Sequence, residues 1–183
     1  EDSGNIKDKK MGYYLADEAV FRRVTEATGA GNNRHPLTYI LEAADDLAYK
    51  TADIEDAFVK GFITYYTLER ELAPLEDHYP ESPFKPLEKL RQLYDRGSRK
   101  GVSNPGSYAV KNWIISAQGF LISCATFGFT SNYDSIMNGT FGHDLFYGTY
   151  GEKLMELLGD LAYRRVFWSM EIYKMELGEA GIM

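Results

Sequence analysis

Between Pro36 and Gly61 the apolar side chains recur at helical spacing: Leu37, Ile40, Leu41, Ala44, Leu47, Ala48 and Ile54, with Thr51 filling the one gap. Residues three and four apart share one face of an α-helix, so the stripe predicts a long helix with a single apolar side. Pro36 suits the first turn, where a missing N–H costs nothing. Gly61 can take the left-handed conformation that stops a helix. A helix of that length must bury its stripe against other elements. No stretch alternates long enough to read as a strand, and no internal repeat is present. The chain is therefore expected to be all-α.

The other segments read the same way. Asp17 and Glu18 open a helix with Val20, Phe21 and Val24 on one side, stopped by the run from Gly29 to Asn33. Thr64 reads as the N-cap of a helix reaching Leu72. Pro74, Pro80, Pro83 and Pro86 mark residues 74–86 as a surface connection. Leu87 to Tyr94 reads as a short helix and Gly97 to Gly106 as a basic loop. A long helix is expected from Ser107 to about Phe127, and a shorter one near Tyr133 to Met137. Asn138 to His143 is a turn, Tyr150 to Phe167 a helix, and Ser169 the cap of a last helix. The charged leader from Glu1 to Lys10 is expected to be flexible, and the 183 residues to form part of one domain.

A formal net charge of −7 argues against non-specific nucleic-acid binding as the main task, because that needs a basic face. A phosphate ligand held by a few local cations stays compatible with it. The single cysteine, Cys124, lies in an apolar run and reads as a buried small hydrophobe, which fits a reducing compartment. The apolar run from Trp113 to Phe129 is broken by Ser116, Gln118, Gly119, Ser123 and Thr126. A bilayer span needs roughly 20 apolar residues, so the run reads as a buried helix and no membrane partner is expected.

Three residues on the long helix could carry chemistry. Asp45, Tyr49 and Asp53 follow one another in four-residue steps and so form one stripe. With Ala44 at zero on a helical wheel they fall at about 100°, 140° and 180°, off the apolar face. Taken by themselves they read as a solvated polar face, the usual fate of polar residues opposite an apolar one. His35 and His78 have no partner at metal-ligand spacing, and the His143-Asp144 pair reads as structural capping.

The wording of the segment narrows the choice. The run Arg34-His35-Pro36-Leu37-Thr38-Tyr39-Ile40, then Glu42-Ala43-Ala44-Asp45-Asp46 and Asp53-Ile54-Glu55-Asp56, resembles the dGTP triphosphohydrolases of the HD-domain superfamily. The resemblance extends to Lys9-Lys10-Met11-Gly12-Tyr13-Tyr14-Leu15, to Gly139-Thr140-Phe141 with His143, and to Arg165-Val166-Phe167 through Met175-Glu176-Leu177. It implies a helical bundle of the HD type and hydrolysis of dGTP, or dNTPs more broadly, to deoxynucleoside and inorganic triphosphate.

It also implies roles for single residues. Asp45 matches the last aspartate of a metal site whose other ligands are a histidine and a His-Asp pair. A carboxylate with imidazoles suits a divalent ion, with Mg, Mn, Fe, Co and Zn not distinguished, that activates water for attack at phosphorus. Tyr49 and Asp53 match positions lining the sugar, Lys10 a lysine reaching the triphosphate, and Phe167 and Glu176 the positions that sandwich and read the base. One carboxylate can accept guanine's two adjacent donors, which adenine does not offer. The family's upstream histidine, its His-Asp pair and its catalytic acid/base residues have no match here. The chain is therefore expected to be a central-to-C-terminal fragment holding no catalytic residue, inactive alone. Family resemblance further implies a cytoplasmic homo-oligomer, commonly a hexamer, and leaves room for a nucleic-acid or nucleotide effector. Competing expectations are a non-catalytic nucleotide-binding module and another HD-superfamily phosphohydrolase.

Overall fold

The computed structural model describes residues 13–31, 33–78 and 80–164, and among them there are helices and no strand. Seven α-helices follow one another: α1 (Glu18–Thr28), α2 (Pro36–Val59), α3 (Tyr65–Leu72), α4 (Pro86–Arg99), α5 (Pro105–Ser131), α6 (Tyr133–Met137) and α7 (Glu152–Ala162). The all-α expectation holds.

Local chemistry sets most of the boundaries. Helix α2 begins at Pro36, and the His35 imidazole Nδ1 accepts from the Leu37 amide at 3.2 Å. The Thr64 hydroxyl accepts from the Thr67 amide to start α3, and the Asn104 side chain accepts from Ser107 to start α5. Gly29 and Gly61 leave their helices at positive φ, 69° and 79°. Helix α4 runs five residues past the expected Tyr94, because Gly97 inside it faces Tyr108 closely and packs instead of breaking the helix. The expected helix from Ser169 lies outside the described residues.

Helices α2, α4, α5 and α7 enclose the core. Helices α4 and α5 pack on one another, and Leu87, Leu90 and Leu93 of α4 and Trp113, Ala117 and Leu121 of α5 are all buried. The Trp113 indole donates to the Pro86 carbonyl at 2.8 Å, so its one polar atom is satisfied inside the core. Thr51 of α2 is buried and accepts from the Gln118 amide of α5 at 2.8 Å, which ties those two helices. Phe84, in the connection before α4, stacks on Phe120 at 4.8 Å.

Two expectations need correction. Helix α5 extends from Pro105 to Ser131 and is long and apolar enough, by length and composition, to cross a membrane. It buries one side only, 28% of its most apolar window, and leaves Ile115, Ile122 and Phe127 exposed. Judging the apolar run instead of the whole helix understated its length. A single such helix is equally the mark of a core helix.

The second correction concerns α2. The face it buries is Tyr39, Ala43, Leu47, Thr51, Ile54 and Ala57, not the expected stripe. Leu37, Ile40 and Leu41 are exposed, as are Ala44 and Ala48. The core axis thus lies about 90° round the helix from the expected one.

Candidate functional site

The stripe of interest sits on α2. Its backbone is held on two sides, by the Thr51–Gln118 bond to α5 and by Lys50, whose ammonium donates to the Met155 carbonyl of α7 at 3.3 Å. Gly159 lets Lys50 in: a Cβ there would meet the lysine Cε at 3.4 Å. Helix α2 is therefore a rigid mount, and side chains four residues apart on it are neighbours.

Asp45 is exposed, Tyr49 is 66% exposed, and Asp53 is half-buried. The rotation of the core axis accounts for this gradient. Asp45 points almost directly away from the core, whereas Asp53 lies at its rim. Burial pushes the Asp53 carboxyl above the usual carboxylate range, and the neighbouring Asp56 charge pushes it the same way. Among the described residues no cation pairs with Asp45 or Asp53. The stripe is an acidic wall with a phenol in its middle, open to one side.

Beside it runs an apolar groove of about 230 Å³ between α2 and the second half of α5. Ile40, Ala44 and Leu47 line one side, Ile122, Ala125 and Phe129 the other. Helix α1 buries none of its residues, and Val20, Phe21 and Val24 are all exposed.

The start of α2 is fastened to the segment 139–148. Tyr39 donates its hydroxyl to the Phe141 carbonyl at 2.6 Å, and the two rings meet at 5.8 Å. The Arg34 guanidinium lies 5.0 Å over the Tyr39 ring and forms an ion pair with Glu42, the two side chains only 11% and 10% exposed. Burial lowers the affinity of Arg34 for its proton, which the Tyr39 side chain partly offsets. Gly139, at φ 71°, closes against Asn33, where a Cβ would sit 2.4 Å from the side-chain carbon.

The histidines are occupied elsewhere. His35 caps α2, and His143 stacks on Tyr147 at 3.7 Å. Asp144 accepts from the Phe146 and Tyr147 amides at 2.8 and 3.0 Å, the capping role expected for it. Among the described residues no three His, Cys, Asp or Glu side chains converge as a metal cluster. Lys10, Phe167 and Glu176 lie outside the described residues. Cys124 is buried, which raises its thiol pKa, as its apolar surroundings predicted.

Sequence reasoning missed the fastenings. Lys50 reads as one more polar residue on the outer face, and Gly159 as an ordinary helix glycine. Thr51 left a trace, as the single polar residue in the apolar stripe.

No family model matches the chain. Curated relatives do match it. The chain is 35% identical over 175 residues, 94% of its length, to a deoxyguanosinetriphosphate triphosphohydrolase-like protein of Listeria monocytogenes. It is 29% identical over 182 residues, 96% of its length, to the deoxyguanosinetriphosphate triphosphohydrolase of Serratia proteamaculans. It is 30% identical over 176 residues to that of an Enterobacter species. The matched segment makes up 36%, 35% and 34% of those relatives. The chain is therefore similar over nearly its whole length to a segment of deoxyguanosinetriphosphate triphosphohydrolases, and it spans about a third of their length.

Proposed function

We propose that this chain contributes the sugar wall and one metal ligand of a dNTP triphosphohydrolase, with dGTP as the first substrate to test. The observation that carries the reading is the outward stripe Asp45, Tyr49, Asp53 on a fixed helix, in a segment aligned over 94% of the chain with named triphosphohydrolases.

Asp45 fits a metal ligand: it is an exposed carboxylate with no cation of its own among the described residues. It is one ligand of a set, because no further His, Cys, Asp or Glu converges on it there. The imidazoles that complete such a set would come from outside the described residues. A bound divalent ion would activate water near neutral pH and withdraw charge from phosphorus.

The chain's own residues do the orienting. Tyr49 places a flat ring against the sugar and crowds a 2′-hydroxyl. Asp53 accepts a hydrogen bond from the 3′-hydroxyl, and its carboxylate must be ionised to accept well. Lys10 reaches the phosphates, Phe167 stacks on the base and Glu176 reads its edge. The apolar groove beside Asp45 and the bare face of α1 are seats for the remainder of the domain, whose arrival would shut water away from the stripe. A homo-oligomer belongs to the same reading.

The test is product analysis on the complete protein that carries this segment, with dGTP and Mg²⁺ or Mn²⁺. Inorganic triphosphate with deoxyguanosine, lost in Asp45→Asn, supports the reading. Pyrophosphate or orthophosphate would assign a different phosphohydrolase. Nucleotide binding without turnover would make the site a regulatory pocket.

A further inference from the structure

Lys50 binds a partner that its own helix does not dictate. Asp46 stands four residues before it and Asp53 three residues after it, both half-buried and both within side-chain reach on α2. Among the described residues the ammonium pairs with neither. It crosses to α7 and donates to the Met155 carbonyl at 3.3 Å. A carbonyl inside a helix already accepts from the amide four residues on, here Gly159, and the side chain at that position ordinarily lies over it. Gly159 has no side chain, so the Met155 carbonyl stays open to a second donor. The opening is filled by the lysine: a Cβ at Gly159 would meet Lys50 Cε at 3.4 Å, Nζ at 3.5 Å and Cδ at 3.9 Å. A glycine inside an 11-residue helix is unfavourable by itself, and here it has a partner that needs it.

The contact joins two helices with different duties. Helix α2 carries Tyr49 and Asp53 on either side of Lys50 in the sequence. Helix α7 is seated at its start by Gly151, which closes on Leu121 and Cys124 of α5. Just past its end Arg164 pairs with Glu71 of α3 at 3.0 Å. Leu154, Met155, Leu158 and Leu161 are buried, but apolar burial has no direction and tolerates a small slide or turn of the helix. A hydrogen bond to one named carbonyl does not, because it weakens steeply with distance and angle. From Arg164 the chain reaches Phe167 in three residues, at most about 11 Å of extended backbone. Phe167 is therefore tethered to wherever α7 ends.

We propose that Lys50 is a positioning residue for base discrimination: it fixes the offset of α7 from α2, and with it the distance from the sugar wall to the base-reading segment that follows α7. The proposal rests on the reading given above, in which Tyr49 and Asp53 hold the sugar and Phe167 and Glu176 the base. Hydrogen bonds to a base edge fail once donor and acceptor part by about 0.5 Å. The sugar contacts lie wholly on α2 and do not depend on where α7 stands. Loss of the ammonium therefore loosens recognition of the base and leaves recognition of the sugar as it was.

The experiment measures kcat/KM for dGTP, dATP and GTP on the complete protein that carries this segment, in the parent and three variants. Lys50→Met keeps the stem and removes the donor; Gly159→Leu fills the opening and evicts the lysine without touching α2. Each should lower the preference for dGTP over dATP by about tenfold and hold the preference for dGTP over GTP within about twofold. Gly159→Ala, whose Cβ makes ordinary contact with Lys50, should hold both ratios within about twofold. A lysine that only stabilised the fold would lower every rate together through the folded fraction, so two unchanged ratios in Lys50→Met overturn the proposal. Two ratios falling together overturn it as well, since the sugar wall would then have moved. A parent that releases triphosphate from dGTP and dATP equally well overturns it and leaves the hydrolase reading standing. A parent that releases no triphosphate ends that reading, and this proposal with it.

Discussion

The Tyr39 hydroxyl donates to the carbonyl oxygen of Phe141 at 2.6 Å, joining the first turn of α2 to a loop 102 residues further along the chain. That bond, with Arg34 above the same ring, fixes the rotation of α2 and so the direction in which Asp45 points. Tyr39→Phe removes the donor and leaves a half-buried carbonyl without it. The expected loss is about 1 kcal/mol in urea unfolding. An unchanged midpoint would show that the bond does not hold the loop.

Gly128 permits a close backbone approach, since a Cβ there would lie 1.9 Å from the Leu145 carbonyl oxygen. Neither backbone can yield without moving α5 or the loop before α7. Gly128→Ala should cost about 1–3 kcal/mol or more, read as a drop in the thermal midpoint. Gly119→Ala on the same helix has open space around it and is the control.

Asp45→Asn should leave the fold alone, within about 0.5 kcal/mol, because the side chain is exposed. In the complete protein it should lower turnover by at least about a hundredfold and weaken divalent-metal binding in parallel. Isothermal titration with Mn²⁺ beside the rate assay separates the two effects. Full activity in Asp45→Asn ends the metal-ligand assignment.

Asp53 has the opposite balance. Burial and the Asp56 charge raise its pKa, so the folded state prefers the protonated form and holds an ionised carboxylate at a cost. Its contribution to stability is present in acid and is lost as pH rises through the raised pKa. Asp53→Asn should therefore raise the thermal midpoint at pH 7 while lowering activity, the mark of a residue kept for its chemistry. A lower midpoint with intact activity would make it a packing residue.

Tyr65 supplies the pH dependence at the other end of the scale. Burial, with smaller contributions from Glu69 and Asp95 against Arg91, pushes its phenol up to about 12. The fold favours the neutral form, so this stability is whole below pH 10 and is lost as pH rises from 10 toward 12. Tyr65→Phe should flatten the alkaline limb of a plot of unfolding free energy against pH. A limb of the same slope would place the titrating group elsewhere.

Much of the fold was legible residue by residue. Pro36 and Thr64 marked helix starts, Gly29 and Gly61 marked stops, and Asp144 was recognisable as a cap, whereas the capping by His35 was not foreseen. Each works through bonds within a few residues, which sequence displays directly. The run of α4 past Tyr94 was not legible, because Gly97 is a breaker unless Tyr108 is there to pack on it. The membership of Asp45, Tyr49 and Asp53 in one stripe followed from four-residue spacing alone. The bonds holding their helix, Thr51 to Gln118 and Lys50 to Met155, join residues 67 and 105 positions apart.

The amino-acid order by itself determined that α2 exists, where it starts and stops, and that its three functional candidates share a side. It could not determine which side meets the core, because the first half of α2 is apolar nearly all the way round, from Leu37 and Tyr39 through Ala43 and Ala44 to Leu47 and Ala48. The tertiary structure decided that. Tyr39 found a carbonyl to bond, Ala43 and Leu47 followed it inward, and Leu37, Leu41 and Ala44 were left outward. The choice put Asp45 farthest from the core and Asp53 at its rim, where burial, helped by the Asp56 charge, raises the carboxyl above its ordinary range.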